Sequence, residues 1–199
     1  MEEGKTPGKL VVISGPSGCG KTTILERLLT LNRGRLELSV SATTRPPRAG
    51  EIDGKSYRFL SAAEFDRLRE EGEFLECVEV YPGLWYGTLH SAVTPGLAAG
   101  KSVILEIDVR GMKSVVEQTV DAITIFIHPP SLLALEQRLR GRHTETESLL
   151  KRRLEVARRE IESADGYQHQ IVNRNVDEAA EAIREIINLA ESRSEVETS

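Results

Sequence analysis

The sequence predicts an α/β domain built on a parallel sheet, and three observations carry that expectation. Apolar, β-branched runs of strand length recur at Leu10-Val11-Val12-Ile13, at Ser102-Val103-Ile104-Leu105-Glu106-Ile107-Asp108 and at Ala122-Ile123-Thr124-Ile125-Phe126-Ile127. Runs of this kind suit strands covered on both faces of a sheet. Each is followed by a helical pattern, at about 21–31, 112–118 and 131–139, and such alternation is the mark of parallel strands joined by crossover helices. A glycine-rich turn at 15–20 links the first strand to the first helix.

The elements follow in order. Residues 1–8 are charged or rich in Gly and Pro and are expected to fray. The stretch from Leu38 to Trp85 has short alternating pieces (Lys55 to Leu60, Glu73 to Val80) around one small helix, which Ser61-Ala62-Ala63-Glu64 starts as a capping box and Gly72 ends. This reads as an insertion beside the main sheet. Around and after Leu139 comes a helix-rich segment crowded with Arg138, Arg140, Arg142, Lys151, Arg152, Arg153, Arg158 and Arg159, with Leu149, Leu150, Leu154, Ala157 and Ile161 as its apolar stripe. Ile171-Val172 precedes a closing amphipathic helix, Val176 to Leu189, carried by Ala179, Ala182, Ile183, Ile186 and Ile187. The last residues, 191–199, are polar without periodicity and are expected to form a flexible tail.

Composition bounds the function. The 199 residues carry a formal charge of −5, which argues against a general nucleic-acid binder and leaves room for a local basic pocket. Neither end has the long apolar run of a membrane span or secretory signal, so a cytoplasmic, membrane-free protein is expected. Cys19 and Cys77 have no metal-ligand spacing, and the four histidines form no i, i+4 pair.

Gly15-Pro16-Ser17-Gly18-Cys19-Gly20-Lys21-Thr22 fits G-x4-G-K-[ST] between a strand and a helix, the context that this phosphate-binding motif needs. Glycines let successive backbone N–H groups converge on phosphate oxygens, and the helix N-terminus adds partial positive charge. Lys21 then reaches the β- and γ-phosphates while the Thr22 hydroxyl ligates Mg²⁺. Asp108, at the end of the second apolar run, suits two roles: an acid holding a metal-bound water beside Thr22, and an N-cap for the helix that follows. Arg45 and Arg48, three apart in a proline-restricted segment, suit a clamp on a phosphate monoester, and Tyr57 and Tyr86 add phenolic donors.

The segment Ser39-Val40-Ser41-Ala42-Thr43-Thr44-Arg45-Pro46-Pro47-Arg48-Ala49-Gly50-Glu51-Ile52-Asp53-Gly54-Lys55-Ser56-Tyr57 is similar to the signature of guanylate kinases. The resemblance continues through Glu73-Phe74-Leu75-Glu76, Trp85-Tyr86-Gly87-Thr88, Ile104 to Asp108, Pro129-Pro130-Ser131, Arg138 to Arg142 and Ile171-Val172-Asn173, nearly all of the chain in family order. It implies an enzyme moving a phosphoryl group from ATP, with Mg²⁺, to GMP and also dGMP. The implied fold is a three-layer P-loop core (9–37, 89–139 and 159–190) with a small mixed-β GMP-binding insertion (38–88) and a helical lid (140–158).

The resemblance also implies the site. Arg45, Arg48, Tyr57 and Tyr86 hold the GMP phosphate, Ser41, Glu76 and Glu106 read guanine, and Thr88 and Asp108 complete that site. Residues 15–22 with Arg138 and Asn173 bind ATP, while Lys21, Arg45, Arg142 and Arg153 act on the transferring group. Guanine presents N1–H and N2–H₂ as donors and O6 as an acceptor, so carboxylates and a hydroxyl are the right partners, whereas adenine leaves polar groups unpaired. The chain departs from the family's pattern at Glu106, His143, Arg174, Asn175 and Thr94-Pro95-Gly96 without losing a phosphate or base ligand. A monomer is expected. The competing reading is a non-catalytic guanylate-kinase-like module that binds phosphopeptides, against which the intact Lys21 and Thr22 argue.

Overall fold

The structure is a computed structural model of the chain and describes residues 8–119, 121–141 and 147–197. In chain order it has β1 (Leu10–Ser14), α1 (Lys21–Leu31), β2 (Leu36–Leu38), β3 (Ala42–Thr43), β4 (Arg58–Phe59), α2 (Ala62–Glu70), β5 (Phe74–Tyr81) and β6 (Leu84–Leu89). Then follow α3 (Thr94–Ala98), β7 (Ser102–Glu106), α4 (Val109–Gln118), β8 (Ile123–His128), α5 (Leu132–Arg140), α6 (Glu147–Glu162), β9 (His169–Val172) and α7 (Val176–Glu197). Two compact units result. One holds the chain through Leu10 with Gly34–Ala122, the other Val11–Arg33 with the chain from Ile123.

In the second unit β1, β8 and β9 run parallel, in register from Val11↔Ile123 to Ser14↔Phe126 and from Ile125↔His169 to His128↔Val172. Every residue of β1 is buried, as its unbroken apolar run requires of a strand covered on both faces. α1 buries Ile24, Leu25 and Leu28, one helical stripe, and packs on α7, which buries Ala179, Ala180, Ile183 and Ile187. Ser131 starts α5 by accepting the Ala134 N–H at 3.1 Å. Leu135 and Leu139 of α5 then pack with Leu150, Leu154 and Ala157 of α6.

Two expectations change here. Leu149 is 41% exposed rather than part of the α6 stripe, because adjacent residues point about 100° apart and the 150, 154, 157 series takes the buried face. α7 runs to Glu197 instead of stopping near Leu189, since an established helix extends by adding one backbone hydrogen bond per residue and needs no apolar stripe to do so.

In the first unit β2 and β7 pair in parallel from Leu36↔Ser102 to Leu38↔Ile104. β7 stops at Glu106 instead of running to Asp108, and α4 begins at Val109, ahead of the periodicity that starts at Met112. The cause is the cap: Asp108 Oδ1 accepts the N–H groups of Arg110 and Gly111 at 3.0 and 2.9 Å. α3 is a short helix with Pro95 in its first turn, where a missing N–H costs nothing.

The same unit carries a four-stranded sheet in the order β4-β3-β6-β5, with β3 and β4 parallel and the other pairs antiparallel. α2 covers one face. Ser61 Oγ accepts the Glu64 N–H to start this helix, and Gly72, with φ of 74°, turns the chain beyond it. Phe65 of α2 stacks on Phe74 of β5 with ring centroids 4.4 Å apart, in a cluster with Ala42, Leu60 and Leu89. Each buried phenylalanine stabilises the fold by about 1.5–3 kcal/mol. Strand alternation sends Thr43, Tyr86 and Thr88 to the opposite face, and a register shift between Phe74 and Glu76 breaks the alternation of β5 so that Glu76, paired with Thr88, joins them there.

Candidate active site

The loop between β1 and α1 is wound so that its backbone, not its side chains, meets a ligand. Gly20 takes the N-cap of α1 in a left-handed conformation (φ 98°) and offers no capping side chain, which leaves the first-turn N–H groups for an anion. A Cβ there would stand 2.4 Å from Asn173 Nδ2, so only glycine fits. Lys21 Nζ folds back over the loop, donating to the Gly15 carbonyl at 2.6 Å and to that of Pro16 at 3.4 Å. Cys19 is buried, and its carbonyl accepts from Asn173 Nδ2 at 2.7 Å and from Arg138 NH1 at 3.0 Å. Arg138 and Asn173 thus grip the loop that the sequence assigns to the same nucleotide. Ser17 and Thr22 are exposed beside it.

Of the basic segment, Arg153 lies half-buried on α6 and Arg142 lies outside the described residues, as does His143. Arg140 has a different task. It donates to Glu136 Oε1 from Nε at 3.0 Å and to both oxygens of Glu147, joining α5 to the start of α6.

In the first unit a set of polar and aromatic groups surrounds Arg45. Its NH2 and NH1 donate to Glu51 Oε1 and Oε2 at 2.8 and 3.0 Å, and its Nε donates to the Tyr86 hydroxyl at 3.1 Å. Its guanidinium carbon stands 5.4 Å from the centre of the Tyr57 ring, itself 5.9 Å from the Tyr86 ring. Burial, followed by the negative charge of Glu106, pushes the Tyr57 phenol up, so it remains a donor at neutral pH. Arg48 is exposed, and it is its backbone N–H that meets Glu51 Oε2, at 2.6 Å.

Glu76 is the buried carboxylate of this face, 4% exposed, with Oε1 accepting the Thr88 hydroxyl at 2.8 Å. Burial pushes its pKa up to about 7, the charge of Asp108 adds to the rise, and the Thr88 hydroxyl opposes it. Ser41 and Glu106 are both half-buried; Ser41 precedes β3 and Glu106 ends β7. Asp108 Oδ2 accepts from Arg110 Nε and NH2 at 3.3 and 3.1 Å, so both of its oxygens are engaged. The first unit therefore holds an ordered guanidinium beside two phenols, groups whose chemistry suits an anion, and a buried carboxylate, whose chemistry suits a base with N–H donors.

A family model described as guanylate kinase matches residues 7–190. The chain belongs to the guanylate kinase family. A guanylate kinase of Rhodopirellula baltica is 50% identical over 188 residues, covering 94% of this chain and 90% of that one. One of Nostoc sp. is 44% identical over 182 residues, with 92% and 90% covered. The crystal structure of guanylate kinase from Anaplasma phagocytophilum matches with a TM-score of 0.75 at 33% identity, covering 94% of this chain and 88% of that one. Guanylate kinases are nucleoside monophosphate kinases, and this chain is an enzyme of that class.

The donor set fits a magnesium ion carried in with a nucleotide. No group of three or more His, Cys, Asp or Glu among the described residues is placed to hold a metal, and Thr22 offers one hard oxygen at the loop. Mg²⁺ commonly takes only one or two protein ligands, the rest being phosphates and waters. Among the described residues no helix is long and apolar enough to cross a membrane. Sequence reasoning missed Glu51, Arg110 and Gly111. Glu51 lies inside the quoted signature, and a carboxylate beside two arginines was the available signal.

Proposed function

We propose that this chain transfers the γ-phosphoryl group of Mg-ATP to GMP, and also to dGMP, giving ADP with GDP or dGDP. The observation that carries the reading is the polar face of the small sheet, where buried Glu76 with Thr88 stands in the same unit as the Arg45, Tyr57 and Tyr86 clamp. A guanine ring supplies the two N–H donors that such an acceptor wants, and a 5′-phosphate supplies the anion.

Under this reading Glu76, Ser41 and Glu106 read the base, with Thr88 and Asp108 completing the site, and Arg45, Arg48, Tyr57 and Tyr86 bind the acceptor phosphate. Residues 15–22 bind ATP with Arg138 and Asn173. Lys21, Arg45, Arg142 and Arg153 neutralise charge on the transferring group, and Thr22, with Asp108 through water, holds the magnesium. The bound Mg²⁺ supplies charge neutralisation on the ATP phosphates. No covalent intermediate is needed, because catalysis here is positioning and electrostatics for an in-line transfer. Residues 38–88 form the GMP-binding part and 140–158 the lid of a cytoplasmic monomer that needs neither nucleic acid nor membrane.

A coupled assay of ADP formation with GMP, dGMP, AMP, CMP and UMP tests the proposal. GMP should exceed AMP in kcat/KM by at least about 10³-fold, the range reached by sites whose polar groups pair with the correct base. Equal turnover of AMP and GMP, or no turnover with tight binding of a phosphopeptide, would overturn it.

A further inference from the structure

The carboxylate of Glu76 lies against a stretch of helix that has no side chain. Gly111 sits in the first turn of α4, and a Cβ built there would stand 3.0 Å from Glu76 Oε2 and 3.3 Å from both Cβ and Cδ1 of Ile107. Glycine is the poorest helix former after proline, so the helix by itself disfavours it. Nor does the backbone ask for it, because Gly111 is helical and has no positive φ. What asks for glycine is the space, which the carboxylate occupies on one side and Ile107 on the other. The second oxygen of the same carboxylate is fixed by the Thr88 hydroxyl at 2.8 Å. Thr88 and the bare Gly111 backbone thus set its position from two sides.

We propose that Gly111 is a specificity-determining positioning residue, whose missing side chain sets where the Glu76 carboxylate meets the base. The proposal rests on the reading of Glu76 as the guanine acceptor. A displacement of a few tenths of an ångström spoils a two-point contact more than a one-point contact. Guanine offers N1–H and N2–H₂ side by side, whereas hypoxanthine offers N1–H alone. The signature of Gly111 is therefore a loss of preference for GMP over IMP.

The experiment compares kcat/KM for GMP and IMP in the wild type, Gly111→Ala, Glu76→Asp, the double variant and Glu76→Gln, with the melting temperature of each protein without ligand. Gly111→Ala should lower the GMP/IMP ratio about fivefold or more while kcat at saturating GMP stays within about threefold. Shortening Glu76 by one methylene draws its carboxylate away from the added methyl, so in the Glu76→Asp background Gly111→Ala should cost less than about twofold. Equal costs in both backgrounds, or an unchanged ratio in folded Gly111→Ala, would overturn the proposal. If Gly111→Ala does not fold alone, folding of the double variant supports the contact, and failure of both overturns it. Glu76→Gln separates the two claims. A ratio unchanged by that variant removes the base-reading role itself, while a ratio that falls there and not in Gly111→Ala removes only the role of Gly111.

Discussion

Arg45 and Glu51 meet at two points, NH2 to Oε1 at 2.8 Å and NH1 to Oε2 at 3.0 Å, across a single turn of chain. Glu51 Oε2 also accepts the Arg48 backbone N–H at 2.6 Å, so one carboxylate holds both the Arg45 guanidinium and the backbone at Arg48. A planar guanidinium held in this way has its rotamer chosen before any ligand arrives, which lowers the ordering cost of binding an anion.

Glu51→Gln should therefore raise KM for GMP on the order of tenfold and also lower kcat, since the loosened Arg45 serves both the acceptor phosphate and the transferring group, the loss being one of preorganisation. Guanosine, which lacks the phosphate, should bind the variant as it binds the wild type. Calorimetry with GMP and guanosine checks this. A tighter grip on GMP after the substitution would mean that Glu51 competes with the phosphate instead of placing Arg45.

Glu76 should make the ligand-free protein and its proposed GMP complex respond to pH in opposite directions. Its pKa rises from 4.5 to about 7 on folding, chiefly through burial, so the native state holds the proton more tightly than the unfolded chain. Its contribution to stability is complete below about pH 4.5 and is lost as pH climbs through 7, by at most about 3 kcal/mol at 1.36 kcal/mol per pH unit. Chemical denaturation at pH 5 and pH 8 should show that loss in the wild type and not in Glu76→Gln. Binding a base with two N–H donors wants the ionised form, so GMP affinity should rise from pH 6 to 8 beyond what Glu76→Gln shows. Parallel profiles for the two proteins would exclude Glu76 as the titrating acceptor.

Two neighbouring substitutions separate shape from chemistry in the phosphate loop. Gly20→Ala must adopt φ near 98° and push Asn173 aside, and should cost about 1–2 kcal/mol or more of stability together with most activity. Lys21→Met should keep the melting temperature of the free protein and lower kcat by several orders of magnitude, with GMP binding still measurable. Near-normal turnover of Lys21→Met would remove this loop from the reaction.

Arg140 and Arg153 should also behave differently. Arg140 is spent on Glu136 and Glu147 at the surface, so Arg140→Ala should leave kcat within a few-fold. Arg153→Ala should lower kcat on the order of 10³-fold, as for arginines that stabilise a transferring phosphoryl group. Stopped-flow single-turnover measurements distinguish the two, and equal effects would make the segment purely structural.

What the chain states about itself is local. β1, the glycine loop and α1 follow from an apolar run, a motif and a helical stripe, and α2 from Ser61 and Gly72 at its two ends. These are preferences and hydrogen bonds among residues a few positions apart, so they are written in consecutive letters. The family was equally legible, because its signature is a run of such letters. The tertiary structure decided what depends on distant partners. Glu76 and Thr88 are 12 residues apart, and Cys19 and Asn173 are 154 apart. Only the closing of β5 on β6 and of α4 against β5 buries the Glu76 carboxylate, raises its pKa and leaves tight space for a Cβ at Gly111. In the same way Asp108, which the sequence left between two roles, is drawn into a helix cap and the grip of Arg110, and Leu149 loses the buried face of α6 to Leu150. Burial and desolvation depend on everything packed around a group, and that sum exists only in the folded chain.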